Sequence, residues 1–481
     1  PAITQYDSVV RININLMKEI HYNWNYLLSV SLISAMGGLL FGYDWVVIGG
    51  AKPFYEPFFG ITGNPVMQGW VMSCALAGCL AGAAVAGWFS DRYGRKKMLI
   101  VSALLFIVAS LGTGSSGSIG QFILFRISGG VGIGLASNLS PVYIAEITPA
   151  ETRGRYVSIN QLTIVIGILA AQMINWRIAE PVPPDATTME IMNSWNGQAG
   201  WRWMFYACAI PASVFYILMW FVPESPRWLA RNIKTHPRAH AILSKIGGTG
   251  YGDNEMNAIK ETLSSSGIDV SYRNLFRKPV SGILLTGIII AVFQQWCGIN
   301  VIFNYAQEIF ENAGYSVSDI LFNIVVTGSV NLIFTFAGMF TVDRLGRKTL
   351  MLAGAGGLAI IYAILGTMYF LNIGGLPMLI MVVTAIACYA MSLAPVTWVV
   401  LSEIFPNRVR GMAMSAATFA LWSACFILTY TFPILNQHLR ASGTFWLYGL
   451  ICIAGFWFIY VRLPETKGKT LEEIEHEFSS C

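Results

Sequence analysis

The sequence predicts an all-α membrane protein with twelve spanning helices arranged as two six-helix repeats. Three observations carry that prediction. Only 11% of the 481 residues are charged and 55% are hydrophobic, against about 25% charged in ordinary soluble domains. Twelve segments reach the apolar length of about 20 residues that crosses a bilayer. Motifs of the first half return, in the same order, in the second.

The segments lie near 25–50, 66–89, 97–115, 119–145, 155–177, 201–222, 280–309, 319–341, 348–371, 376–402, 411–432 and 443–462. The first 20 residues are polar, and no short apolar run with a small-residue cleavage site follows. No cleaved signal peptide is therefore expected. A polar stretch holding Arg227, Arg231, Lys234, Arg238 and Lys245 divides the segments six and six. The expected organisation is a bundle over 1–223, a helical linker over 224–278, a second bundle over 279–463 and a tail over 464–481.

The repeat is carried by charged loops. Asp91-Arg92-Tyr93-Gly94-Arg95-Lys96 follows segment two, and Asp343-Arg344-Leu345-Gly346-Arg347-Lys348 follows segment eight. Glu146, with Arg153-Gly154, closes segment four; Glu403, with Arg410-Gly411, closes segment ten. Pro223-Glu224-Ser225 and Pro464-Glu465-Thr466 end the halves. Offsets of 252, 257 and 241 keep the three pairs in order. Two parallel repeats with a site at their interface suit an alternating-access transporter.

Basic residues in short loops set orientation. The loops after segments two, four, eight and ten hold eleven Lys and Arg; the opposite loops hold Lys52, Arg177, Arg202 and Arg440. The basic loops, the linker and both termini are thus expected in the cytoplasm. Topology alone accounts for Lys96, Lys97 and Lys348. It does not account for carboxylates repeated at the same offsets. The eight cysteines lie mostly in apolar segments without a CxxC pair and read as packing residues.

Two kinds of residue interrupt the apolar wall. The first is charge. Asp44 sits in Gly42-Tyr43-Asp44-Trp45 of segment one, and Arg126 in Phe125-Arg126-Ile127 of segment four. Intramembrane charges are costly and point to function, with each other as partner. No histidine lies in a segment, which leaves Asp44 as the proton candidate. A permanent structural pair is the alternative. The second kind is the amide: Gln161 in segment five, Gln294, Gln295 and Asn300 in segment seven, and Asn331 in segment eight. Amides offer both donors and acceptors to a neutral hydroxylated ligand, although a lone amide also bonds neighbouring helices. Gln295 and Asn300, five apart, share a face only if the helix unwinds near Gly298. Trp398 and Trp422 lie well inside segments ten and eleven, and Phe41 beside Asp44.

Together, Asp91-Arg92-Tyr93-Gly94-Arg95-Lys96, Pro141-Val142-Tyr143-Ile144-Ala145-Glu146, Pro223-Glu224-Ser225-Pro226-Arg227, Gln294-Gln295 with Gly298-Ile299-Asn300, and Pro464-Glu465-Thr466-Lys467-Gly468 resemble the sugar porter family of the major facilitator superfamily. The resemblance runs from about residue 25 to 475, and is nearest to bacterial proton-coupled xylose and related monosaccharide symporters. It implies the major facilitator fold and proton-coupled import of a neutral monosaccharide by a monomer in a bacterial inner membrane. The partners would be the sugar, a proton and the lipid bilayer, with no nucleic acid and no cofactor. It also implies that Phe41, Gln161, Gln294, Gln295, Asn300, Asn304, Tyr305, Asn331, Trp398 and Trp422 line the central site. Asp44 and Arg126 would couple the proton. Asp91, Arg92, Arg95, Glu146, Arg153 and Glu224, with Asp343, Arg344, Arg347, Glu403, Arg410 and Glu465, would form a cytoplasmic salt-bridge network holding the outward-facing state. The tail Thr470-Leu471-Glu472-Glu473-Ile474-Glu475 and the linker would latch it with short helices.

The chain departs from the family at four places. Asn304 stands where members often carry a first tyrosine, Leu421 where relatives place an amide, Ala394 where they place glycine, and Ile168 where close relatives place glutamine. A facilitative uniporter shares the fold and site. A non-transporting sugar sensor would carry a longer tail, and a drug antiporter would lack the amide-rich segment seven. No HExxH, metal cluster or nucleophile–base pair suggests an enzyme or a metal.

Overall fold

The computed structural model describes residues 21–149, 152–183, 186–265, 280–405 and 410–467, with backbone alone at 262–265, 342–343 and 410–411. The expected tail helix and the last part of the linker lie outside the described residues, as do the side chains of Asp343 and Arg410.

The first half comprises α1 (Trp24–Phe59), α2 (Pro65–Tyr93), α3 (Arg95–Ser115), α4 (Ile119–Ile147), α5 (Arg153–Ile178) and α6 (Trp201–Phe221). In the second half α7 is broken into Val280–Trp296, Ile299–Asn304 and Ala306–Glu311. It is followed by α8 (Val317–Leu345), α9 (Arg347–Phe370) and α10, broken into Leu376–Met391 and Leu393–Ile404. The final stretch, Arg410–Arg462, is 53 residues long, or about 80 Å at 1.5 Å per residue, far beyond one membrane crossing. It reverses at Arg440, whose φ of 59° and ψ of 174° are not helical. The limbs before and after Arg440 are α11 and α12. Between the halves lie the linker helices Pro226–Leu229, His236–Gly247 and Thr249–Ser265.

The breaks have local causes. In α7, Gly298 has φ 87° and starts a new helical piece, a conformation that glycine adopts without the usual penalty. The ring of Tyr448 fills the space a Cβ would need. The expected unwinding at this position is present. In α10, Ser392 leaves the helix at φ −121° and ψ −86°. Pro395 then falls in the first turn of the next piece, where its missing N–H costs little. One expectation needs correction. Segment one does not end near residue 50: α1 continues through Pro53 and Pro57 to Phe59. Lys52 is therefore a helical residue, 1% exposed, and not a loop cation. A hydropathy window stops at such a residue because it does not register the partner that neutralises it.

Within the first half, α1 and α5 cross in close contact. A Cβ on Gly42 would run into the carbonyl oxygen of Ile164, and one on Gly167 into that of Leu39. Small residues permit this approach in membrane bundles. The halves meet along three seams. Gly69 and Trp70 of α2 touch Tyr430 and Phe426 of α11. Gln172 and Trp176 of α5 touch Gly328 and Phe322 of α8. Gly49 of α1 lies under the backbone of Phe303 and Asn304. All three lie toward the end away from the basic loops. At the basic end, hydrogen bonds and ion pairs among the described residues stay within one half or join it to the linker. Among the described residues the bundle is thus shut at the far end and unbridged at the basic end.

Candidate functional site

Asp44 and Arg126 come together in the middle of the first half. Arg126 Nη1 donates to Asp44 Oδ1 at 2.7 Å, and Nη2 lies 3.4 Å from the Asp44 carbonyl oxygen. Both side chains are buried, at 6% and 3% exposure. The contact is single-pronged. Asp44 Oδ2 and Arg126 Nε have no hydrogen-bond partner. The guanidinium also rests 5.8 Å from the centroid of Phe205. A narrow cavity reaches the pair, lined by Asp44, Trp45, Arg126 and, from the other half, Asn304.

The amides of α7 form a continuous chain. Gln294 Nε2 donates to the hydroxyl of Tyr389 on α10 at 2.5 Å. Gln295 Nε2 donates to Gln294 Oε1 at 2.6 Å. Asn300 Nδ2 donates to Gln295 Oε1 across the break at Gly298 and lies 3.7 Å from Cys425 Sγ on α11. Unwinding brings Gln295 and Asn300 to one face. One turn further, Asn304 Nδ2 lies 3.5 Å from Thr429 Oγ1, and Tyr305 donates to the Thr429 carbonyl at 2.6 Å. Trp422 faces this chain's side of the interface, 5.5 Å from Phe41 and 6.0 Å from Trp45 of α1. Seven of the expected residues are therefore gathered by α1, α7 and α11. Gln161 on α5 and Trp398 on α10 are half-buried, and Asn331 on α8 is buried. Among the described residues they share no hydrogen bond or ring contact with the chain. Tyr389, Trp45 and Thr429 were not anticipated. A tyrosine in an apolar run carries no periodic signal.

The charged loops form two clusters that share four kinds of contact among the described residues. Arg95 pairs with Asp91 at 3.0 Å and with Glu146 at 3.0 Å; Arg347 pairs with Glu403 at 3.1 Å. Ser225 donates to Glu146 at 2.5 Å, and Thr466 to Glu403 at 2.6 Å. Glu224 accepts from the backbone N–H of Arg95 and Lys96 at 2.9 and 3.1 Å. Glu465 accepts from Arg347 and Lys348 at 2.8 and 3.0 Å. These carboxylates cap α3 and α9, satisfying N–H groups that every helix start leaves free. Lys96 Nζ and Lys348 Nζ reach the last-turn carbonyls of Trp220 and Tyr460 at 2.7 and 2.9 Å, so they do more than set topology. Besides the two capping glutamates, three expected members stand outside the ion pairs among the described residues. Arg92 lies 5.5 Å over the rings of Trp88 and Tyr93. Arg153 Nε is buried without a partner. Arg344 contributes its carbonyl oxygen, to Lys467 Nζ at 2.7 Å. The linker joins the first cluster through Arg231, 2.9 Å from Asp91.

The two capping glutamates differ electrostatically. Burial pushes the Glu224 carboxyl above its ordinary range, although the N–H donors of Lys96, Ser225 and Arg95 oppose it. Burial acts upward on Glu465 too, but the N–H groups of Lys467, Arg347, Thr349 and Lys348 outweigh it and hold this carboxyl low.

A second group of buried charges, not anticipated from the sequence, lies at the far end. Lys52 pairs with Glu308 of α7 and lies 3.5 Å from Glu56 on its own helix. Its ammonium also sits 4.9 Å from the Tyr305 ring centroid. Glu56 Oε2 accepts from Gln68 of α2 at 2.8 Å. Also between the halves, the backbone N–H of Val182 donates to Ser318 Oγ of α8 at 2.9 Å.

Comparison with known proteins places this arrangement. The family described as "Sugar (and other) transporter" matches residues 30–478. The chain is 37% identical to the D-xylose-proton symporter of Escherichia coli K12 over 94% of this chain and 96% of that one. It is 35% identical to the arabinose-proton symporter of Bacillus subtilis over 94% and 95%. The inward-open structure of the E. coli xylose transporter superposes with a TM-score of 0.81 at 35% identity, covering 94% and 99% of the two chains. The chain belongs to the sugar porter family of the major facilitator superfamily and has its twelve-helix fold.

Proposed function

We propose that the protein is a proton-coupled symporter that imports a neutral monosaccharide by alternating access, with Asp44 as the proton site. The buried, single-pronged Asp44–Arg126 pair carries this reading. A carboxylate that is 4% exposed is costly unless paired or protonated, and this pair leaves Asp44 Oδ2 open to a proton. The two relatives named as proton symporters support it.

The cycle follows from the contacts. Open to the outside, Asp44 takes a proton and Arg126 is released from it. The neutral carboxyl tolerates closure of the far end. Sugar in the central site assists by spanning both halves. Phe41 and Trp422 offer aromatic faces to its C–H surface. Gln161, Gln294, Gln295, Asn300 and Asn331 offer donors and acceptors to its hydroxyls. Asn304 and Tyr305 close over it, and Trp398 lines the α10 wall. With the far end shut, as here, the proton leaves toward the basic end and Arg126 recaptures Asp44.

The basic end is the cytoplasmic one in this reading, with both termini there, and the membrane is the bacterial inner membrane. The rocking units are 1–223 and 279–463, joined by 224–278. The paired clusters, with Asp343 and Arg410, join across the halves when the basic end closes and part when it opens. Among the described residues no ion pair or hydrogen bond joins the two clusters, which agrees with an inward-facing state.

Uptake of labelled xylose and labelled glucose into proteoliposomes, with and without an inside-alkaline gradient, tests the proposal. Accumulation above the outside concentration only with the gradient is expected. Equal equilibration either way would identify a facilitative uniporter and leave Asp44 a structural partner of Arg126.

A further inference from the structure

The far-end seam holds more charge than packing requires. Lys52 is 1% exposed, and a lone buried ammonium is strongly disfavoured. Two carboxylates reach it, from opposite halves. Glu308 belongs to α7, and its side chain keeps 21% exposure. Glu56 belongs to α1, four residues along the same helix, and its side chain keeps 7%. Glu56 Oε1 has no hydrogen-bond partner, although Lys52 Nζ is 3.5 Å away.

We infer that Lys52 is a two-position latch for the far-end gate: it pairs with Glu308 across the halves when the gate is shut, and with Glu56 of its own helix when the gate opens. The inference rests on the alternating-access reading but not on the identity of the sugar or on proton coupling. Its logic is the cost of an unpaired charge. Parting the halves breaks Lys52–Glu308, and without a second partner Lys52 would be stranded. Glu56 removes that cost with a small side-chain movement, because residues four apart on a helix face each other. Glu308, the more exposed carboxylate, returns to water. Gln68 holds the second oxygen of Glu56 at 2.8 Å and keeps this carboxylate in place throughout. The other charged group close by, Glu311, is exposed on α7. Pro53 and Pro57 remove two backbone donors from α1 beside the latch, which loosens the helix end that must move.

The two carboxylates therefore have opposite roles, and neutralising each moves the gate in opposite directions. The test is deuterium uptake of the full-length protein in nanodiscs, without sugar or gradient, read at the amides of 49–61 and 299–311. Glu308→Gln removes the closed-state partner, and uptake there rises roughly tenfold or more in rate. Glu56→Gln removes the open-state partner, and uptake there falls below wild type. Glu308→Asp keeps the closed-state charge and holds uptake near wild type, which separates a broken latch from a misfolded protein. Both neutralised variants moving the same way, or neither moving, or Glu308→Asp behaving like Glu308→Gln, would overturn the latch and leave a static cluster. Sugar uptake failing in wild type would not affect this readout.

Discussion

Arg126 holds the Asp44 carboxylate by one oxygen, at 2.7 Å, while Asp44 Oδ2 and Arg126 Nε have no hydrogen-bond partner. A bidentate clamp would resist exchange with a proton; one bond can be given up. Asp44→Asn should abolish proton-driven accumulation but leave sugar counterflow intact. Undiminished accumulation in that variant removes Asp44 from coupling. Arg126→Gln strands a buried carboxylate and should cost about 3–5 kcal/mol. The double variant should cost less than the two singles combined, as a double-mutant cycle by thermal melting would show.

Gln294 sits between the Tyr389 hydroxyl and Gln295. Truncating it breaks the amide chain at its root. Gln294→Ala should weaken sugar binding by about 1–3 kcal/mol, roughly 5- to 150-fold in affinity. Tyr389→Phe should have a smaller effect in the same direction, because it removes only the group that orients Gln294. Titration of tryptophan fluorescence with sugar would measure both, since Trp45 and Trp422 lie at the interface.

The capping glutamates predict opposite pH behaviour. Glu465 is held below its ordinary value of 4.5, so its charged form stabilises the fold at neutral pH. That contribution is lost as pH falls through the folded value. The melting difference between wild type and Glu465→Gln should be largest near neutrality and shrink in acid. Glu224 is raised above 4.5 by burial. Its contribution is fullest in acid and declines as pH rises, so Glu224→Gln should show the reverse trend. Parallel pH series for the two variants would refute this assignment.

Gly42 allows α1 to lie against the Ile164 carbonyl. Gly42→Ala forces the helices apart, with an overpacking cost of about 1–3 kcal/mol. A lower melting temperature is expected, together with lower transport, since Asp44 is two residues along. An unchanged melting temperature would mean that the α1–α5 crossing is looser than described.

Much of this was legible in the sequence because charge in a membrane protein is sparse. Asp91, Glu146 and Glu224 stand out against apolar neighbours, and their repeats at Asp343, Glu403 and Glu465 fix the halves. Gly298 announced the break in α7, since only an unwound helix puts Gln295 and Asn300 together. Two kinds of feature were hidden. Lys52 read as a loop cation because its neutralising partner Glu308 is distant in sequence and hydropathy is blind to pairing. The break at Ser392 and the reversal at Arg440 have no glycine or proline at the turning residue to signal them. Glu224 and Glu465 were read as ion-pair members, whereas the structure uses them first as helix caps, a role that depends on which helix start folds back beneath them.

The clasp made by Ser225 with Glu146, and by Thr466 with Glu403, fastens each half's closing residues to the last turn of its own fourth helix. Neither fastening borrows from the other half. A chain severed between Ser265 and Val280 would yield two fragments, each with its own closing hook. Co-expressed in one membrane, they should find each other by the far-end seams and assemble without a covalent tether.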